Sequence, residues 1–292
     1  MDFGSEHSFA RAAERVWEHY RIELSPETIR SQTLRHGRAM TALPAAGLTS
    51  AATLISQMDG SMIPVVQPGS GPDGRKGKQL SWREAKLCMA RSTDRVQGLY
   101  GATLGSAETA GWLWREVALA AGLTPKTYVH GVGDGAEWIT DRFNENFQEQ
   151  GRYLLDFYHV SEYLAQAAIK VACPGKQQTW RRRQQGRLLN NQLKKVLKSL
   201  ETHLEPPASS ETPVRSAYNY MSHRRDNLDY AGTRAKNLPI GSGEIESGHR
   251  HVIQQRLKLS GCWWKETNAQ AMLNLRTARA NGLWEQHWSA SN

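Results

Sequence analysis

Two aspartates and a pair of glutamates are the residues of this 292-residue chain whose types and spacing could do chemistry. Asp59 lies in the run Met58-Asp59-Gly60-Ser61-Met62-Ile63-Pro64-Val65, and Asp134 lies between Gly133 and Gly135. Glu244 and Glu246 open a segment, Ile240 to Lys258, that ends in a basic tail. Carboxylates brought together repel one another unless divalent cations sit between them. Mg²⁺ takes oxygen ligands and commonly uses one or two carboxylates plus substrate phosphates. Two such ions about 3.5–4 Å apart can activate an attacking oxygen and stabilise a leaving one at phosphorus. Each acid also has an ordinary reading. Asp-Gly is a common turn pair. Ser242 suits a helix N-cap, acids suit the first turn, and cations suit the far end. Residues two apart on a helix do not share a face, so Glu244 and Glu246 cannot both meet one ion. Glu246 shares a face with Arg250 and Ile253, and Glu244 with Gly248 and His251. Geometry alone does not choose between them.

The elements that must position these acids follow from periodicity and punctuation. Thr53 to Val66 is expected as a strand with a break or bulge at Gly60, and Pro68 to Gln79 as a Gly/Pro-rich loop. Trp82 to Arg91 and Val96 to Leu104 are two further expected strands. Ser106 caps a helix of apolar period through Ala121, ended by Gly122. Then come a strand (Thr127 to Gly133), a helix (Ala136 to Phe147), a strand (Arg152 to Asp156) and a helix from Tyr158 onward. Three strands followed by alternating helices and strands describe an α/β protein, a mixed sheet with helices on both faces. This is the element order of the RNase H-like fold. In that fold the first and fourth strands are neighbours, so Asp59 and Asp134 are expected to meet in the crevice at the strand ends. The glycines flanking Asp134 would let backbone or substrate approach closely.

Four regions are expected. Residues 1–45 are helical: Phe9 to Tyr20, then a helix capped by Ser25, with Pro26 in its first turn, running to His36 before Gly37. Such a pair is either a helix-turn-helix DNA reader or simple packing. After an Ala/Gly-rich linker (Thr41 to Ala52), residues 52–173 form the first part of the core. Residues 174–238 read as an all-helical insertion, with a long basic helix (Lys176 to His203), a Pro/Ser loop (Glu205 to Pro213) and a helical stretch to about His223. Residues 239–292 complete the core with an amphipathic helix, Glu266 to Ala280. The basic helix carries Arg181, Arg182, Arg183, Arg187, Lys194, Lys195 and Lys198 with few compensating acids. It would track phosphates, and its binding would weaken steeply with salt. Trp263 and Trp264, beside Lys258 and Lys265, could stack on bases, but a tryptophan pair after a helix is more often core or interface. Trp112, Trp114 and Trp138 are assigned to packing.

Composition sets the outer bounds. The net charge of +9 is weakly indicative of a polyanionic partner. No apolar run approaches the ~20 residues of a membrane span, and the N-terminus lacks a signal peptide's apolar centre. The three cysteines, Cys88, Cys173 and Cys262, have no metal-like spacing, which fits a reduced cytoplasmic setting.

The stretches MDGSMIPV, GVGDGAEWI, LLDFYHVSEYL and LPIGSGEIESGHRHVIQQRLKLSG resemble the DDE transposases of bacterial insertion sequences, in the mutator-like group and nearest its ISKra-type family. The resemblance runs from about residue 10 to the C-terminus, and its last motif is the most specific. It implies Asp59 and Asp134 as catalytic aspartates, Glu246 as the catalytic glutamate, and Glu244 as a cap-like neighbour. It implies two Mg²⁺ (or Mn²⁺) ions held by those three acids, DNA ends and target DNA as partners, and a homodimer or higher oligomer. Asp156 and His159 match a short motif that shapes the site or contacts DNA; His159 reads equally as a satisfied histidine at a helix start. The expected DNA contacts are Arg181, Arg182, Arg183, Arg187, Lys194, Arg250, Arg256 and Lys258, with Arg276 and Arg279 on the last helix as further candidates. Members of that family carry a longer region before the first aspartate, so a shortened or divergent copy is expected. A nuclease that cuts without joining, or a DNA-binding remnant without catalysis, are the alternative readings.

Overall fold

In a computed structural model, which describes residues 2–40, 42–44, 50–67, 69, 77–147 and 149–289, the chain alternates between helical and extended segments. In order these are α1 (Asp2–Glu6), α2 (Phe9–Tyr20), α3 (Pro26–Ala39), β1 (Thr53–Gln67), β2 (Gln79–Ser92), β3 (Leu99–Thr103), α4 (Ala107–Ala120), β4 (Tyr128–Gly133), α5 (Glu137–Phe147), β5 (Gly151–Leu155) and α6 (Phe157–Val171). There follow α7 (Gln177–Leu189), α8 (Leu193–Glu201), α9 (Pro213–His223), α10 (Tyr230–Ala235), α11 (Gly243–Gly248), a π-helical segment (His249–Gln254), α12 (Gln255–Leu257), α13 (Glu266–Ala280) and α14 (Trp284–Ser289). The mixed sheet has the order β3-β2-β1-β4-β5, with helices on both faces, as the RNase H-like element order requires. Residues 68 and 70–76 of the expected loop and 41 and 45–49 of the expected linker lie outside the described residues, and Gln79 already belongs to β2.

The chain divides into two units, Met1–Thr127 with Gly243–Asn292, and Tyr128–Ser242. In the first, β1 pairs antiparallel with β2 and β2 with β3. The two-residue period of a strand sorts their side chains. Ile63 and Val65 of β1 and Ala85, Leu87 and Met89 of β2 share one apolar core with Ile245, Ile253, Met272 and Leu275 of the C-terminal helices. On the opposite face, Ser56 accepts from the Trp114 indole of α4 at 2.7 Å. Gly101 of β3 lies so close to Leu113 and Val117 of α4 that a Cβ there would stand 2.8 Å from each. Gly37 of α3 abuts the backbone of Ala271 in α13.

In the second unit, β4 and β5 pair in parallel, and Gly131 admits the Phe143 ring of α5. Caps act as the sequence predicts at Ser25 and Ser106, whose side chains accept from Thr28 and Thr109. Gly122, with φ +106°, ends α4.

Four local expectations are corrected. Pairing through Asp59↔Leu87, Gly60↔Lys86 and Ser61↔Ala85 is unbroken, so β1 has no bulge; Gly60 instead makes room for the Glu84 side chain. The strand expected from Val96 begins only at Leu99, because the Arg91 guanidinium donates to the carbonyls of Ser92 and Arg95 and holds a turn. The long basic helix is two helices. It breaks at Asn191, whose φ is +53° and whose side chain bonds Asp229 and the Ala231 amide. Trp112 is not packed but 71% exposed, whereas Trp114 is fully buried.

Candidate functional site

Asp59 stands on the face of β1 that looks toward the C-terminal helices, the same face as Gln57 and Ile63. Gln57 is buried, and its Oε1 accepts the Ile245 amide at 2.9 Å. Acceptance of a first-turn amide is the work of an N-cap side chain. Ser242, the expected N-cap, donates through both its amide and its hydroxyl to Asp156. Arg91, across the hairpin, grips Glu244 at two points, Nε to Oε2 at 2.6 Å and Nη2 to Oε1 at 2.8 Å. Glu244 is therefore an anchor of α11 rather than only a cap-like neighbour. Glu246, two residues on, lies on the exposed side.

The π-helical segment begins at His249, three residues after Glu246. Its ring is 3% exposed, and Nε2 lies 3.3 Å from Asp59 Oδ2. That approach is close but poorly aligned, and among the described residues neither ring nitrogen makes a well-formed hydrogen bond. Burial pushes the His249 pKa down to about 4 against the opposing effect of the Asp59 backbone, so the ring is neutral at pH 7. The Asp59 side chain keeps 39% of its surface and its Oδ1 accepts the Gly60 amide at 2.7 Å. Wide turns of this kind recur at functional sites because they reaim side chains.

In the second unit, Asp134 follows β4. Its Oδ1 accepts the Ala136 amide at 2.9 Å, and its carbonyl accepts the Tyr220 hydroxyl. Gly135 has φ +74°, the left-handed conformation glycine tolerates, and its carbonyl accepts from Arg224 Nε at 3.0 Å. Burial, and next the Asp134 charge, raise the Tyr220 phenol above its ordinary value. Asp156 is buried and caps α6 through the Tyr158 and His159 amides. His159 lies edge-on to Tyr163 and Tyr220, with Nδ1 3.6 Å from Glu162.

The basic residues divide sharply. Arg182, Arg183 and Lys194 are exposed, as are Arg250 and Lys258 of the first unit. Arg181 is half-buried, and Arg187 spends its guanidinium on Gln184 and the Lys195 carbonyl. Arg256 is buried. Arg276 is buried among the carbonyls of Ser5, His251 and Val252, with Glu6 beside it, so it holds the fold. Arg279 pairs with Asp2 and Glu6. Sequence reasoning missed Gln57, Arg91 and His249. The one sequence signal was a glutamine two residues from an aspartate in a strand rich in apolar residues.

Oxygen donors of the Asp and Glu type suit a hard divalent cation. Among the described residues, no three His, Cys, Asp or Glu side chains are grouped as a metal cage. Any ion would take its remaining ligands from water and substrate. Among the described residues no helix is long and apolar enough to cross a membrane.

A mixed sheet of this strand order, with an acidic helix packed on its first strand, defines an α/β protein of the RNase H-like class. The chain belongs to the Uncharacterised protein family (UPF0236), whose model matches residues 108–290. It is 28% identical over 159 residues to the "UPF0236 protein in vanSb 3'region" of Streptococcus gallolyticus, covering 54% of this chain and 34% of that protein. The match thus spans about a third of that relative's length. The structure is similar to the Drosophila P element transposase strand transfer complex, with a TM-score of 0.34 and 10% identity over 98% of this chain and 79% of that one. It also overlays on the crystal structure of NurA bound to dAMP and manganese, with a TM-score of 0.13 and 14% identity over 93% of this chain and 63% of that one. Neither overlay is close enough to carry a functional argument.

Proposed function

We propose that the chain is a DDE transposase of a bacterial insertion sequence, cutting DNA at the element's ends and joining the freed 3′-hydroxyl to a target. The observation that carries the reading is the anchoring of the Glu246 helix on the Asp59 strand. Gln57 binds the Ile245 amide, and His249 lies against Asp59, so two acids 187 positions apart (59 to 246) belong to one packed assembly. The four motifs that resemble the transposase family support Asp134 as the third acid. Engagement of Glu244 by Arg91 supports giving the ligand role to Glu246.

Asp59, Asp134 and Glu246 would hold Mg²⁺ or Mn²⁺, which supplies activation of the attacking oxygen and charge stabilisation at the phosphate. The chain's own residues do the positioning. The Gly60 amide fixes one oxygen of Asp59, buried His249 lies against the other, and the Ala136 amide fixes Asp134. Exposed Arg182, Arg183, Lys194, Arg250 and Lys258 bind DNA phosphates, and the active form is a cytoplasmic homodimer or higher assembly that pairs two ends.

The test is cleavage and joining of DNA carrying the sequences that flank the chain's own gene, with Mg²⁺ or Mn²⁺, wild type beside Asp134→Ala. Metal-dependent joined products that vanish in the variant are expected. Cleavage without joining would make the protein a nuclease, and binding without cleavage a silent remnant.

A further inference from the structure

The first unit holds a cavity of about 390 Å³, lined among others by Phe9, Arg30, Arg256, Trp263, Trp264 and Lys265. This volume lies within the range of small-molecule sites. Arg256 is 1% exposed, and among the described residues neither Nη1 nor Nη2 meets a nitrogen or oxygen acceptor; the Cys262 thiol is its polar neighbour in the cavity wall. The guanidinium's Nε donates to the Gly4 carbonyl at 3.1 Å. Two rings lie against it, Phe9 at 4.6 Å and Trp264 at 4.9 Å from Cζ, set edge-on to each other. Burial lowers its pKa to about 10, which leaves it charged at pH 7. A buried cation of this kind is costly unless an anion or further acceptors complete it, and stacking against rings recovers only part of that cost. None of the described lining residues is acidic.

We infer that this cavity is a binding site for an unpaired nucleotide, with the phosphate taken by the Arg256 fork and the base laid against Trp263. Three features select that ligand class. The planar guanidinium holds two buried donors without a nitrogen or oxygen acceptor, a fork that matches phosphate oxygens. Lys265 adds an exposed cation, and Arg30 a second guanidinium that is paired with Glu27. Trp263 is 43% exposed beside the cavity and tilted against Trp82 at 6.4 Å, so an aromatic face is available to a base. A bare inorganic anion would use only the first of these features.

The experiment measures binding of thymidine 5′-monophosphate, thymidine and inorganic phosphate to the full chain by calorimetry and tryptophan quenching, in EDTA. Omitting metal separates it from the cleavage chemistry, so either reading can fail alone. The nucleotide is expected to bind and quench, with thymidine and phosphate each weaker by about tenfold or more. Trp263→Ala and Lys265→Ala, both at exposed positions, are expected to weaken the nucleotide by about tenfold, and Arg256→Gln to abolish binding. Circular dichroism reports whether Arg256→Gln folds; if it does not, the two rim variants decide. Equal binding of inorganic phosphate overturns the nucleotide assignment. Absence of nucleotide binding, or unchanged affinity in the rim variants, overturns the site. So does loss of self-association in Arg256→Gln without nucleotide binding by the wild type, since a carboxylate of a second copy would then be the anion.

Discussion

The Gln57 side chain accepts the backbone amide of Ile245, 188 positions away in sequence, at 2.9 Å in the interior. A strand residue thereby caps the helix that carries Glu246, and the cap sets where that helix begins relative to Asp59. Replacing Gln57 by Met keeps the volume and orphans the amide. Urea unfolding is expected to show a loss of about 1–3 kcal/mol, the cost of a buried unsatisfied donor. An unchanged midpoint would mean that the helix start has another acceptor.

Glu244 and Glu246 should separate by phenotype. The Arg91–Glu244 pair is less than a third exposed, at 17% and 32% for the two side chains. A double-mutant cycle with Arg91→Met and Glu244→Gln is expected to give a coupling of about 1–3 kcal/mol. Glu246→Gln is expected to cost less stability than Glu244→Gln and to abolish DNA cleavage. Full cleavage by Glu246→Gln would remove it from the site.

Asp156 is expected to matter for folding rather than for metal. It caps α6 and accepts from Ser242, tying the end of the second unit to β5. Asp156→Ala should cost about 2–4 kcal/mol, combining a lost cap with orphaned buried donors. Thermal unfolding reads this directly. A stable variant that loses only DNA cleavage would give Asp156 a chemical role.

Acid should destabilise the fold before carboxylates titrate. His130 is buried and bonded through Nε2 to the Pro239 carbonyl at 2.8 Å, and burial lowers its pKa. The unfolded chain takes up a proton near the ordinary histidine value of about 6.5, while the folded one resists. Stability is therefore whole above pH 6.5 and falls as pH drops toward the depressed folded value. His249 acts in the same direction, from 6.5 down to about 4. Denaturant midpoints at pH 7 and pH 5 test this, and His130→Gln should reduce the difference to the share that His249 contributes.

Binding to duplex DNA should carry a steep salt dependence in which exposed Arg182 and Arg183 take part. Each phosphate contact removed should lower the slope of log K against log[salt] by about 0.9. Arg182→Ala with Arg183→Ala, measured by fluorescence anisotropy across a salt series, gives that slope. An unaltered slope would make the α7 surface a solvated face.

Much of the fold is legible locally. Phe9–Tyr20, Ser25 with Pro26, Ser106 to Gly122 and Glu266–Ala280 are read from caps, apolar period and breakers, because those terms act within a few residues of the backbone they stabilise. The element order from β1 to α6 was legible for the same reason. Errors fell where a distant partner overruled the local preference. Asn191 breaks the basic run because Asp229 and Ala231 hold its side chain, and Arg91 turns the chain before β3.

The sequence by itself determined the class of sheet, the placement of Asp59 on its first strand and of Asp134 after its fourth, and the acidic start of the helix that bears Glu246. Each is a matter of period two or period 3.6 and of turn residues, which the chain carries in one dimension. Only the tertiary structure decided which glutamate is engaged by Arg91, that Gln57 accepts a first-turn amide of the helix bearing Glu246, and that Arg256 is buried against Phe9 and Trp264. Those outcomes depend on desolvation and on hydrogen bonds between residues tens to hundreds of positions apart, and no local pattern encodes the distance between them.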